Sequence, residues 1–246
     1  DEWTDIRDLA AAKWWEGLAI GLREDGRCVV TQNSVRYHAD TYNFRDALGA
    51  KYVLDTVGSW RDIVQVAVSD AFFALDAGGH VHVAPMSHFS RDEYSAVETW
   101  SDVKRVVVGL SNSVIGITRD GRVLCAGHNC INHGYVTEKL NLLEGVVDAC
   151  VTGAESGEVW FAMSDGTVCS IEGEPLPVKA FVPADGDEKV LDSHYTYAVL
   201  VKDSERRLIM YGGIYSRWDG DFCGHAESFA VGGVRERPFV VSLVGD

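Results

Sequence analysis

The chain has 246 residues, enough for one large β domain or two small ones, and its hydrophobic share of 46% is ordinary for a protein with a buried core. With 22 basic against 37 acidic residues the net charge is −15. That charge disfavours nucleic acid and anionic membrane surfaces and favours a protein partner with a basic surface. No run of about 18 apolar residues occurs, so a spanning helix is excluded.

Residues 1–59 form a first unit opening on Trp3-Thr4-Asp5-Ile6. Asp25-Gly26 sits between apolar runs, a hairpin signal in which both residues tolerate positive backbone angles. Trp14 and Trp15 are neighbours, so on a strand they face opposite sides, and blade-to-blade packing is the expected use. Residues 31–59 read as a loop insertion, because the interval from Ile6 to Ile63 is 57 residues and later intervals are 40 to 44. The insertion holds Tyr37, His38, Tyr42, Asn43, Phe44 and Arg45, the residue types of binding hot spots.

Residues 60–99 repeat the plan from Trp60-Arg61-Asp62-Ile63, with a turn at Gly78-Gly79. His80 and His82 alternate with Val81 and Val83 and face one side; no third ligand follows, so no metal is expected. The segment 85–91 reads as a loop with Met86 and Phe89 exposed at its tip. Residues 100–142 start again from Trp100-Ser101-Asp102-Val103 and turn at Asp120-Gly121. His128, Cys130 and His133 fall short of the four ligands of a structural zinc site, and a loop is the expectation, with Tyr135 on it.

Residues 143–186 are anchored by Val146 and turn at Asp165-Gly166; Pro175 and Pro177 predict a stiff connection outside any ladder. Residues 187–233 start at Val190 and turn at Asp203-Ser204-Glu205-Arg206. Their glycine-rich loop, 211–222, carries Tyr215 and Trp218. A remnant, 234–246, begins at a sixth anchor, Val234. Its strand, 238–244, is predicted to pair beside the first unit. Helical periodicity is scarce, and 10–15 and 137–143 are read as strand and loop.

Short strands recurring every 40 to 44 residues predict an all-β fold, a single β-propeller over 1–246 with about five blades, or six if the remnant adds one. Pairing of the N- and C-terminal strands would close it. The pattern Trp-x-Asp-Ile-Val-x-Val-Ala, then aliphatic-x-Leu-x-x-Asp-Gly-x-Val, then Ala-Gly-x-Asn resembles the regulator of chromosome condensation (RCC1-like) repeat, in its compact bacterial form. Gly127-His128-Asn129 matches that family's Gly-x-Asn. The resemblance implies a protein-interaction platform, or, by analogy with a secreted bacterial branch, an inhibitor that covers a β-lactamase active site. The family's exchange-factor activity does not carry over, since no positions here match its functional residues.

The expected function is therefore a protein-binding module. Its face comprises Tyr37, Tyr42, Phe44, Arg45, Phe89, Tyr135, Tyr215 and Trp218, gathered on the loops that follow each post-turn strand. No cofactor, metal or catalytic residue is expected. A hydrolase or lyase at an axial mouth is the alternative, although no Ser-His-Asp or paired-carboxylate spacing stands out. Cys28, Cys125, Cys130, Cys150, Cys169 and Cys223 show no compact disulfide spacing; they read as reduced core residues and favour a cytoplasmic setting, the even count leaving a secreted one open.

Overall fold

The computed structural model describes residues 3–12, 17–41, 48–109, 113–127, 138–152, 158–171, 175–183, 189–194, 197–204, 207–212, 220–222, 228–234 and 237–243. These form small antiparallel sheets in chain order. The first contains β1 (Ile6–Ala11), β2 (Ala19–Arg23) and β3 (Cys28–Val30). The second contains β4 (Ile63–Val68), β5 (Ala71–Asp76) and β6 (Val81–Pro85), and the third β7 (Val103–Val108), β8 (Ser113–Thr118) and β9 (Val123–Gly127). Two four-stranded sheets follow. One is β10 (Val146–Thr152), β11 (Glu158–Met163), β12 (Thr167–Ser170) and β13 (Pro175–Lys179); the other is β14 (Leu191–His194), β15 (Tyr197–Val201), β16 (Leu208–Gly212) and β17 (Gly220–Phe222). A hairpin of β18 (Ser228–Val234) and β19 (Arg237–Leu243) ends the series.

The repeat seen in sequence is a repeat of backbone geometry. The Asp of each Trp-x-Asp motif sits in the left-handed region, Asp5 at φ 55°, Asp62 at 57° and Asp102 at 60°. Asp tolerates that region better than most side chains do. In the fourth repeat Gly145 takes the place, at φ 73°. The next residue starts the inner strand, and a bulge follows at once, between Ile6 and Asp8, Ile63 and Gln65, Val103 and Arg105, and Val146 and Asp148. At the four described turns of the Asp-Gly and Gly-Gly hairpins only the glycines Gly26, Gly79, Gly121 and Gly166 take positive φ. Asp25, Asp120 and Asp165 do not. With Arg23 N–H bonded to Arg27 O and Asp76 N–H to His80 O, two of these turns are three-residue loops with a left-handed glycine.

Two compact units make up the chain. The first is Asp1–Val108, Asn112–Arg119 and Leu124–His133; the second is Gly109–Ser111, Asp120–Val123 and Gly134–Asp246. In the first, β5 shows how a sheet is buried on both sides. Phe72 and Ala74 belong to a core with Leu18, Ile20, Leu22 and Ile63. Ala71, Phe73 and Leu75 point the other way, into a core with Trp100, Val103 and Val106. Successive strand residues face opposite sides, so the apolar run 71–75 requires cover on each. Phe72 and Phe73 are fully buried, each worth about 1.5–3 kcal/mol.

The insertion is helical rather than loop. α1 spans Gln32–Thr41 and α2 spans Ala50–Ser59. Ala50, Val53 and Val57 fall on one face of α2 and are buried, and Val35 anchors α1 in the same core. This i, i+3, i+7 spacing was readable. Residues 138–140 make one helical turn, whereas Ala10 and Ala11 are strand as expected.

In the second unit, Val147, Cys150 and Ala162 pack with Val190, Leu191 and Leu200. Asp148 is buried and accepts from the Val190 and Leu191 amides at 2.8 and 3.0 Å, which ties β10 to β14. Pro175 and Pro177 do not lie outside the ladder: both are in β13, the last strand of its sheet, and an edge strand tolerates a residue without N–H. The tail strand β19 takes β18 as its partner through seven residue pairs, and Val234 ends β18 instead of opening a unit.

Candidate interaction face

Two of the eight residues expected on the binding face lie in described segments. Tyr37 is on α1, 60% exposed, with its ring edge-on to His38 at 5.1 Å between centroids. Fully buried Val35, two residues earlier, orients the helix so that Arg36 and Tyr37 face outward. Phe89 is on a third helix, α3 (His88–Glu93), although its side chain lies outside the described residues. Tyr42, Phe44, Arg45, Tyr135, Tyr215 and Trp218 also lie outside them, as do Trp14, Trp15 and the His128–His133 segment. α1 follows β3 and α3 follows β6, so both helices leave the same end of their respective sheets.

α3 is held by chemistry that sequence reading missed. Ser87 caps the helix, its hydroxyl accepting from the Ser90 N–H at 3.0 Å. Behind the cap sits Asp70, buried in the turn between β4 and β5. Its carboxylate accepts from Tyr94 Oη at 2.6 Å, Ser90 Oγ at 2.7 Å and Ser69 Oγ at 3.0 Å. A buried carboxylate without such donors would be strongly disfavoured. Burial, then the adjoining Asp70 carboxylate, pushes the Tyr94 hydroxyl well above its usual range, so it stays a donor. Phe73 meets the Tyr94 ring edge-on at 5.0 Å. The segment 85–91 thus runs from the end of β6 into a pinned helix and is not a free loop. Met86, expected at an exposed tip, is buried in the core with α2 because the chain enters α3 from inside.

At the other end of the second sheet lies a smaller cluster. His80 and His82 do face one side, and both find Asp76: His82 Nε2 is 3.1 Å from Oδ2 and His80 Nδ1 is 3.5 Å from Oδ1. Trp60 lies beside His82, 6.1 Å between ring centroids. Burial by itself would raise the Asp76 carboxyl, but the His80 N–H and the two imidazoles together hold it below its ordinary value. Among the described residues no group of three or more His, Cys, Asp or Glu side chains is placed to hold a metal.

The cysteines divide. Cys28, Cys150 and Cys169 are free thiols. Burial, then the nearby Asp25, pushes Cys28 up to about 12, so it is no nucleophile. Cys125 is disulfide-bonded, which corrects the expectation that it is reduced.

No family model matches the chain, and no curated protein matches it. Among solved structures the chain is similar to human WBSCR16, with 12% identity over 93% of this chain and 69% of that one and a TM-score of 0.57. It is also similar to the entire ectodomain of the Physcomitrella patens receptor kinase CR4. There the identity is 9%, over 96% of this chain and 63% of that one, with a TM-score of 0.54. These neighbours are propeller-type domains, and the chain accordingly has a propeller-type fold built of small antiparallel sheets.

Proposed function

We propose that the chain is a protein-interaction module of the RCC1-like type, which holds a partner with a basic surface at the end of its sheets where α1 and α3 emerge. The observation that carries this reading is an outward aromatic on a packed helix: Tyr37 is exposed on α1, whose Val35 is fully buried in the core. Rigid presentation of aromatic side chains lowers the entropy lost on binding. The net charge of −15 supports a basic partner. The left-handed Asp of three successive Trp-x-Asp motifs supports the repeat assignment, as does the likeness to WBSCR16, an RCC1-like protein.

On this reading the chain is not an enzyme. Its described buried carboxylates, Asp70 and Asp148, are engaged by side-chain hydroxyls and backbone amides. A cytoplasmic setting rested on six reduced cysteines, and the disulfide at Cys125 supports an oxidising one.

The test is affinity capture on immobilised wild-type chain beside a variant with Tyr37→Ala, Tyr42→Ala, Phe44→Ala and Trp218→Ala. The expected result is a basic protein retained by the wild type, released as salt rises above about 0.2 M, and lost by the variant. Equal retention by both chains, or none by either, sinks the proposal.

A further inference from the structure

The chain has six cysteines. Cys28, Cys150 and Cys169 are thiols, and Cys125 is disulfide-bonded. A disulfide joins two sulfurs, so the partner of Cys125 is Cys130 or Cys223, both of which lie outside the described residues. The two choices differ physically. Cys130 would close a ring of six residues, 125–130, at the end of β9. Cys223 would join the first compact unit, which holds 124–133, to the second, which holds 134–246.

Two observations favour Cys130. Among the four described cysteines only Cys125 has another cysteine within ten residues of it, and it is the one that is bonded. The backbone also turns where a short ring requires it. The Cα atoms of a disulfide lie about 4.4–6.8 Å apart, whereas five residues of extended strand cover about 16 Å. The chain must therefore reverse soon after Cys125. Gly127, the last residue of β9, is at φ 102°, a region open to glycine and strained for other residues. β3 and β6 hold the same place in the first and second sheets and end on Val30 and Pro85, neither of which takes positive φ. Among these three strands the glycine is thus particular to the one that carries the closely spaced cysteines.

We infer that Cys125 is bonded to Cys130 and that the pair is a redox-sensitive staple on the end of β9. The inference goes beyond the partner-binding reading and does not depend on it. Leu124 and Ala126 pack into the core with Phe73 and Trp100, so Cys125 between them faces the other side of the strand, where it is half-buried. A dithiol reductant can reach it there. One reductant thiolate attacks a sulfur of the pair and forms a mixed disulfide, and the second reductant thiol then resolves it. The protein disulfide takes up two electrons and two protons and becomes two thiols, and the dithiol is oxidised to its own disulfide. Cys150 and Cys169 are buried and Cys28 is held as a thiol, so they do not compete as nucleophiles. The ring is short and restrains little chain entropy compared with a long-range cross-link. Reduction therefore loosens the end of β9 and leaves the sheets folded.

The test is mass spectrometry on the full chain, alkylated in denaturant without reductant and then cut with trypsin. Trypsin cuts after Arg122 and Lys139, so one peptide, 123–139, carries both cysteines, while Cys223 falls on 218–235. Support is an unalkylated peptide 123–139, lighter by two hydrogens than its reduced form, with Cys223 alkylated. A cross-link between 123–139 and 218–235, or alkylation of Cys125, overturns the pairing. Amide hydrogen exchange of the native chain, with and without dithiothreitol, then tests the staple. Exchange at 123–127 is expected to quicken at least about tenfold on reduction while β7 and β8 stay unchanged. Cys130→Ser is expected to match the reduced wild type whether or not reductant is present. Exchange at 123–127 that is indifferent to reduction, or that quickens equally in β7 and β8, overturns the staple.

Discussion

The backbone N–H of Val103 donates to the carbonyl oxygen of Gly79 at 3.0 Å. The bond recurs where one sheet hands on to the next, from Ile63 to Gly26 at 3.1 Å and from Val146 to Gly121 at 3.0 Å. Each turn glycine thus does two things: it takes a positive φ and lets the following strand approach. Gly79 is at φ 86°, and a methyl group there would lie 3.1 Å from Val103 N and O. Gly79→Ala is expected to cost about 2–4 kcal/mol, combining the left-handed penalty with displaced backbone. Gly78→Ala meets only side chains of Asp76 and His80 and should cost less than about 1 kcal/mol. Urea unfolding of the two variants checks the contrast; similar losses would show that the glycine–strand bond is not what matters.

The left-handed Asp gives a second prediction. Asp62→Gly should be nearly neutral, since Gly145 fills the equivalent place in the fourth repeat. Asp62→Val should cost about 1–2 kcal/mol, because a β-branched side chain is strained at φ 57°. Thermal melts that rank the two variants the other way would remove backbone conformation as the reason for Asp in the motif.

The Asp70 network should behave as a unit. Tyr94→Phe deletes the 2.6 Å bond and leaves a buried carboxylate short of a donor, a loss of about 1–3 kcal/mol. Ser90→Ala deletes the 2.7 Å bond. The double variant should fall short of the sum, because both donors serve one acceptor. Strict additivity in a double-mutant cycle would mean the two hydroxyls act independently.

Asp76 sets an acid-side dependence. Its carboxyl is held below the ordinary value of 3.8 in the folded chain, so the unfolded chain binds the proton more readily. The stability it contributes is complete above the ordinary value and is lost as pH falls through the lowered one. Asp76→Asn should therefore flatten the decline of unfolding midpoints from about pH 4 downward. An unaltered acid limb would show that the His80–His82–Asp76 cluster carries no such linkage.

Much of the architecture was legible because its signals are local. Asp-Gly between apolar runs marked three hairpins, and Gly26, Gly79, Gly121 and Gly166 all take positive φ. The Trp-x-Asp start likewise marked three strand origins. What was missed needed distant partners. α2 carried a helical spacing, Ala50, Val53 and Val57, but the repeat length made the insertion look like loop. Met86 looked like a loop tip because nothing in its neighbours shows the core it enters. Asp76 is six residues before His82 and on the opposite side of the turn, so only the folded hairpin brings carboxylate and imidazole together.

By itself, the sequence determined the repeat, its period and its turns, because hairpin chemistry and strand alternation act over a few residues. It also determined the charge that any partner must meet. Only the tertiary structure decided which residues share a site. Asp70 reaches Ser90 and Tyr94 across 20 and 24 positions, and Gln65 bonds the Val106 backbone across 41. Those pairings are set by how sheets pack against one another, which no local spacing records.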